Sequence, residues 1–412
     1  MDRKWWALIA MTLGAFMTAL DNNVGNVALP TIQRELGLTI SGLEWIVSGY
    51  ILVFAGLMLV GGRLADLYGA RRVFVTGLII FTLAALCPVT GGFISQNLHW
   101  GWIYLINVPI GAVTLGLALW AVRPSFTQVR RSLDLPGLIT SALALFALTY
   151  ALIEGGTAGW TSPEILAAGA VTLLSATAFV LVERRSAEPM IDLSLFRARQ
   201  FTGGAITSGI WSFGVFGIYF FSALWLQNVL GFSPTEAGAA FVPMALIMAV
   251  VAVLSQRISS LLGIGRTVAL GMTLMGAAIL MLSGVGAAAG YSDVLPWFML
   301  YGLGGGLMVP LTAAVLSGMP AGRSGVASGV LNVFREVFGL LGITVLGALL
   351  TARQAASDGP PLTAFLEGYQ FTLVIAAVVV LAGIPVALST LRESRTPKKE
   401  ERPQTVMAGS AN

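Results

Sequence analysis

The chain has 412 residues, of which 56% are hydrophobic and only 10% charged, with a mean hydropathy of +0.85 and a formal net charge of +4. Those values exclude a water-soluble globular or nucleic-acid-binding domain and describe a polytopic, all-α membrane protein. One cysteine, Cys87, excludes an internal disulfide framework, and one histidine, His99, leaves little for a metal site or a His-based catalytic centre. In chain order, apolar stretches of about 18 or more residues predict twelve spans: 5–29, 45–61, 73–94, 102–122, 135–153, 165–182, 203–226, 237–254, 268–287, 295–316, 327–350 and 371–391. Met1-Asp2-Arg3-Lys4 runs into an apolar stretch too long for a signal core and without a small-residue cleavage site, so the first span is expected to be retained.

Every Lys and Arg except Arg34, Arg353 and the intramembrane Arg335 falls on the same side of these spans as the N-terminus. The positive-inside rule therefore predicts that both termini are cytoplasmic. The stretch GGRLADLYGARR (61–72) is then a basic cytoplasmic connection between the second and third spans. Glycines at 62 and 69 would allow tight turns and close backbone approach. Asp66, with Arg63, Arg71 and Arg72 nearby, could bridge neighbouring helices or cap a helix N-terminus.

The chain also resembles itself. At an offset of 194 residues, Arg63, Asp66, Gly69 and Arg72 fall on Arg257, Ser260, Gly263 and Arg266, and Gln33, Leu36 and Gly37 fall on Gln227, Leu230 and Gly231. One register held over about 40 residues implies two related halves. Parallel repeats of this kind are a mark of secondary transporters, with a substrate site between the halves near the midplane.

The 62–72 stretch resembles the signature loop between the second and third helices of the major facilitator superfamily. LDNNVGNVALPTI (20–32), WGWIYLINVPIG (100–111), SLDLPG (132–137), EPMIDLSLF (188–196) and SGVASGVLNVFREV (324–337) narrow the resemblance to the 14-helix drug-proton antiporters of bacteria. The resemblance implies an exporter of lipophilic drugs or antibiotics in the bacterial cytoplasmic membrane, working in exchange for protons. It would need no cofactor beyond the proton gradient, with membrane lipid, protons and a small lipophilic or cationic drug as partners, no nucleic acid, and a monomeric state. A transporter of another small metabolite and a shortened, transport-dead membrane protein remain as alternatives. A membrane enzyme is not expected, because no nucleophile, base or metal cluster appears. In the family, Gly62, Arg63, Asp66, Gly69, Arg71 and Arg72 would form a conformational latch; the plainer alternative is a topology anchor and solvated turn.

Ionisable groups inside spans are costly and usually functional. Asp21 lies roughly 24 Å along the first span, where the resemblance implies an acidic residue, and is followed by Asn22 and Asn26 on one helical face. It is either a proton carrier or a structural cap ahead of Pro30. Arg335 and Glu336 lie roughly 15 Å into the eleventh span, with Asn332 one turn earlier. Arg335 matches a family position, whereas Glu336 falls where the family often has an uncharged residue. They read as coupling residues, or as mutual neutralisation and snorkelling.

In the seventh span Phe213, Phe216 and Phe220 share a face, which suits either a wall for flat lipophilic drugs or ordinary packing. Gly302 and Gly306 have the spacing for close helix packing, beside a kinking Pro310.

Four spans follow Arg266, but only two separate Arg72 from the basic stretch at Arg123. LAALCPVTGGFI (83–94) begins like the family's third helix and ends like its fifth, which implies an internal deletion of the fourth and most of the fifth. The expected division is a shortened N-terminal bundle (1–122), two linker helices (123–200), a six-helix C-terminal bundle (201–391) and a tail (392–412).

Overall fold

In a computed structural model of the chain, the described residues are 5–14, 17, 32, 37–84, 107–122, 134–186, 189, 191, 193–317, 319 and 324–391. They are mostly helical, with no strand among them. The helices are α1 (Trp5–Gly14), α2 (Ile40–Tyr68), α3 (Ala70–Ala84), α4 (Asn107–Ala121), α5 (Leu135–Ala158), α6 (Pro163–Arg185), α7 (Arg199–Asn228), α8 (Pro234–Ala240), α9 (Val242–Leu262), α10 (Ile264–Ser283), α11 (Tyr291–Gly306), α12 (Val309–Ser317), α13 (Ser324–Ala355) and α14 (Pro361–Thr390).

Eight segments are long and apolar enough to cross a membrane, counting α8–α9 from Thr235 to Leu262 and α11–α12 from Tyr291 to Ser317 as one each. All eight lie beyond residue 134 and match the expected spans from the fifth onward. Of the first four expected spans, the described parts are α1, α2, α3 and α4.

The repeat seen in the sequence is a repeat of geometry. α2 ends on Gly69 (φ 91) and α3 starts on the next residue; α9 ends on Gly263 (φ 83) and α10 starts on the next. Gly37 (φ 62) and Gly231 (φ 68) also match, and two residues after each a hydroxyl caps a helix: Thr39 for α2 and Ser233 for α8. The same backbone angles 194 residues apart need glycine at both places, because a Cβ strains a positive φ. Gly62, by contrast, lies inside α2, which continues to Tyr68. The expected turn at that glycine is thus replaced by continuous helix, and the chain reverses at Gly69 alone.

In lipid, helix association rests on close packing rather than on hydrophobic transfer, and α7 shows how. Its Gly203, Gly204, Gly209, Gly214 and Gly217 lie against Thr390, Val315, Phe338, Val380 and Leu346, each so near that a methyl group would collide. α7 thereby sits between α13 and α14 in a large core that includes Phe201, Phe220, Phe221 and Trp225. α11 uses the same device: Gly302 and Gly306 face α9 at Met244 and Val251, while Gly304 meets Gly271 of α10 backbone to backbone. The glycine spacing thus does bring helices together. Pro310 occupies the first turn of α12, after a break at Leu307–Met308, where its missing N–H costs nothing. A smaller cluster of Ala10, Ala118 and Val122, with Phe74 and Val75 packed on it, joins α1, α3 and α4. α2 bridges the two groups, touching α3 on one side and α5 and α13 on the other.

The two motifs around α5 and α6 are structural fasteners. Asp134 of SLDLPG accepts a hydrogen bond from the Gly137 N–H (2.9 Å) to cap α5 ahead of Pro136. Glu183, near the end of α6, accepts one from the Ile191 N–H (3.1 Å) in the EPMIDLSLF segment.

Candidate transport site

The polar groups of the large core concentrate where α7 crosses α13. The Ser212 hydroxyl donates to the Arg335 carbonyl at 2.6 Å. The Arg335 guanidinium lies over the Trp211 ring, 4.8 Å from its centroid, a stacking that is worth about 2 kcal/mol when desolvated. Among the described residues, Arg335 Nε, Glu336 Oε2 and Trp211 Nε1 have no hydrogen-bond partner. The Arg335 guanidinium thus faces an aromatic ring of α7. Asn332, one turn earlier, is half-buried on the same helix.

Phe216 of the proposed aromatic wall packs its ring on Gly339, and the Phe213 backbone lies against Gly342. Phe213 is buried, and Phe220 is fully buried with its ring edge-on to Phe221 at 4.9 Å. The Phe216 ring is thus part of the α7–α13 packing, and Phe213 and Phe220 are buried in the large core. Gly209, Gly217, Gly339 and Gly342 each take a close contact across the α7–α13 seam, beside the Ser212 hydroxyl bond to Arg335.

At the turn between α2 and α3, the Arg71 guanidinium donates to the Leu119 carbonyl near the end of α4. It satisfies a helix C-terminus, where a cation is favoured by the dipole, and joins α3 to α4. Arg72 is exposed. Arg63 and Asp66 lie on α2, but their side chains are outside the described residues, as are Asp21, Asn22 and Asn26. No group of His, Cys, Asp and Glu among the described residues could hold a metal ion.

Three residues escaped the sequence reading. Trp211 was not separated from the other aromatics of its span; its position, a helix crossing away from Arg335, has no signal in one sequence. Glu44 and Glu154 lie one residue outside the expected second and fifth spans, because a charge at the edge of an apolar run ends it.

Helices joined by small-residue seams, with a few charges held between them and a helix–glycine–helix turn used twice, make a membrane carrier rather than an enzyme. The chain belongs to the Major Facilitator Superfamily, which matches residues 11–343. It is 28% identical to the puromycin resistance protein of Streptomyces alboniger, over 97% of this chain and 93% of that protein. It is also 28% identical to the tetracenomycin C resistance and export protein of Streptomyces glaucescens, over 85% of this chain and 77% of that one. Among solved structures, the nucleoside transporter NupG superposes with a TM-score of 0.57 at 13% identity, covering 95% of this chain and 100% of that chain. That last likeness concerns the fold.

Proposed function

We propose that the protein exports lipophilic drugs or antibiotics across the bacterial cytoplasmic membrane in exchange for protons. The observation that carries this reading is the Arg335–Trp211–Ser212 cluster at an intramembrane seam, in a chain whose relatives are named for antibiotic resistance and export. Aromatic faces around a sparse set of charges suit flat, lipophilic and often cationic compounds. The residues before 123 and after 200 form the two halves that rock around this site, the helices between them serve as a linker, and the monomer is the working unit. Asp21 is the proton carrier, with Glu336 as second candidate.

Asp21→Asn should preserve expression and drug binding but abolish the dependence of efflux on a pH gradient. Equilibrium drug binding, followed between about pH 5.5 and about pH 8.5, gives the same answer without turnover: proton competition should vanish in the variant. Gradient-driven transport unchanged in Asp21→Asn would remove this residue from the mechanism and turn attention to Glu336→Gln. Both termini are placed in the cytoplasm. A C-terminal reporter active only outside the cytoplasm should be silent; a signal from it would reverse the orientation.

A further inference from the structure

At the end of the bundle opposite the Gly69 turn, α2, α5 and α13 come together, and two carboxyl groups stand there, Glu44 buried and Glu154 half-buried. Glu44 of α2 is 1% exposed, and its Oε1 has no hydrogen-bond partner among the described residues. It fits because position 347 of α13 is glycine: a Cβ there would stand 2.7 Å from Glu44 Oε2 and nearer still to Oε1. The side chain of Glu44 is therefore pressed on the backbone of a helix from the other half.

Glu154 of α5, the second carboxyl group, is differently placed. Its Oε1 accepts from Trp45 Nε1 at 2.7 Å, and its Oε2 accepts from the Thr157 hydroxyl at 3.0 Å. The Trp45 ring that donates to it is itself held by Phe146 and Tyr150, at centroid distances of 5.9 and 6.2 Å. Among the described residues of the helices packed against α2, the titratable groups of this end are Glu154 and Tyr150 on α5 and the exposed Arg353 on α13; Arg71 and Arg72 of α3 stand at the other end.

Two donors can support a charge on Glu154. Nothing described supports one on Glu44, and a buried carboxylate without donor or counter-ion is costly by several kcal/mol, whereas the neutral acid is not. A second negative charge beside Glu154 adds repulsion to that cost.

We propose that Glu44 is a proton-binding site of the α2–α5–α13 seam, occupied when the seam is closed and emptied to solvent when it parts. Release of the proton leaves a charge pressed on the α13 backbone, and the Glu44 carboxylate regains water only if α2 moves off Gly347. High pH on that side thus opens the seam and low pH closes it. The proposed orientation puts this seam at the outer face, and only that placement rests on the proposed function.

The test reads a distance and not transport, so that failure of the export reading leaves it intact. Spin labels are placed at Ile46→Cys on α2 and Ala352→Cys on α13, both exposed positions, in the full chain carrying Cys87→Ala. Distances are measured in lipid nanodiscs at about pH 5.5 and about pH 8.5. With Glu44 present, the distribution should shift to longer distances at the higher pH. Glu44→Gln, which keeps a neutral group there, should hold the short distance at both, while Glu336→Gln should keep the shift. A distribution that does not respond to pH in the chain with Glu44, or a full shift in Glu44→Gln, or loss of the shift in Glu336→Gln alone, would overturn the proposal.

Discussion

A Gly304→Val chain should lose about 3 kcal/mol of stability, the upper end of the range for an overpacked interior. The reason is what surrounds the missing side chain. A Cβ at Gly304 would meet the Gly271 carbonyl at 2.5 Å and the Met275 backbone nitrogen at 2.9 Å. Where a side chain is the obstacle, a rotamer change relieves it. Here the obstacle is the backbone of α10, and relief requires α10 and α11 to separate along a contact where Gly271 faces Gly304 from the other side. Gly116 of α4 is the control, since a Cβ there would meet nothing within 4 Å and the helical cost of a β-branched residue is the same. Thermal unfolding in detergent, followed by the loss of the monodisperse species, should put Gly304→Val well below Gly116→Val. Equal stability would mean that the helices separate at no cost.

The parts of this architecture that were legible in the sequence are those with a local physical cause. A positive φ requires glycine, so the matched pairs Gly37 with Gly231 and Gly69 with Gly263 left a repeat that could be read by sliding the chain along itself. Close helix contact requires small residues, so Gly302 and Gly306 announced the packing of α11. The seam chemistry was less visible. Glu44 and Glu154 belong to α2 and α5, but an acidic residue lowers the mean hydropathy of a window, and the predicted spans stopped one residue short of both. That they stand at one end of the bundle with Gly347 depends on three helices meeting, over separations of more than a hundred residues. Arg335 announced itself as a charge in an apolar run, whereas its partner Trp211 did not. The 61–72 stretch was misjudged at one point for a related reason: Gly62 reads as a turn residue, yet the helix around it is carried on through Tyr68.

The second large effect concerns the first half. Among the described residues, the second half continues after Gly263 through α10, α11–α12, α13 and α14, whereas after Gly69 the first half has α3 and α4 before the expected linker helices. The stretch 85–106 between them has room for about one span of roughly 20 residues, not for two more. The alignment with the puromycin resistance protein runs over 470 residues although this chain has 412, so that relative carries residues absent here. These observations support the proposal that a helix pair is missing. The packing carries the consequence. Among the described residues, a single large core around α7 ties α10, α13 and α14 together, while α1, α3 and α4 share the smaller cluster at Ala10, Ala118 and Val122. Among the described residues, Ile80 of α3 and Val113 of α4 are more than half exposed. A rocking mechanism needs two rigid bodies, and the proposed loss of a helix pair would weaken the first of them. Gradient-driven efflux from the purified 412-residue chain should therefore be weaker, by about tenfold or more, than from a chain in which the corresponding two helices of the puromycin resistance protein are inserted after Ala84. Efflux from proteoliposomes loaded with a fluorescent lipophilic cation compares the two directly, and equal rates would show that four helices suffice for the first half.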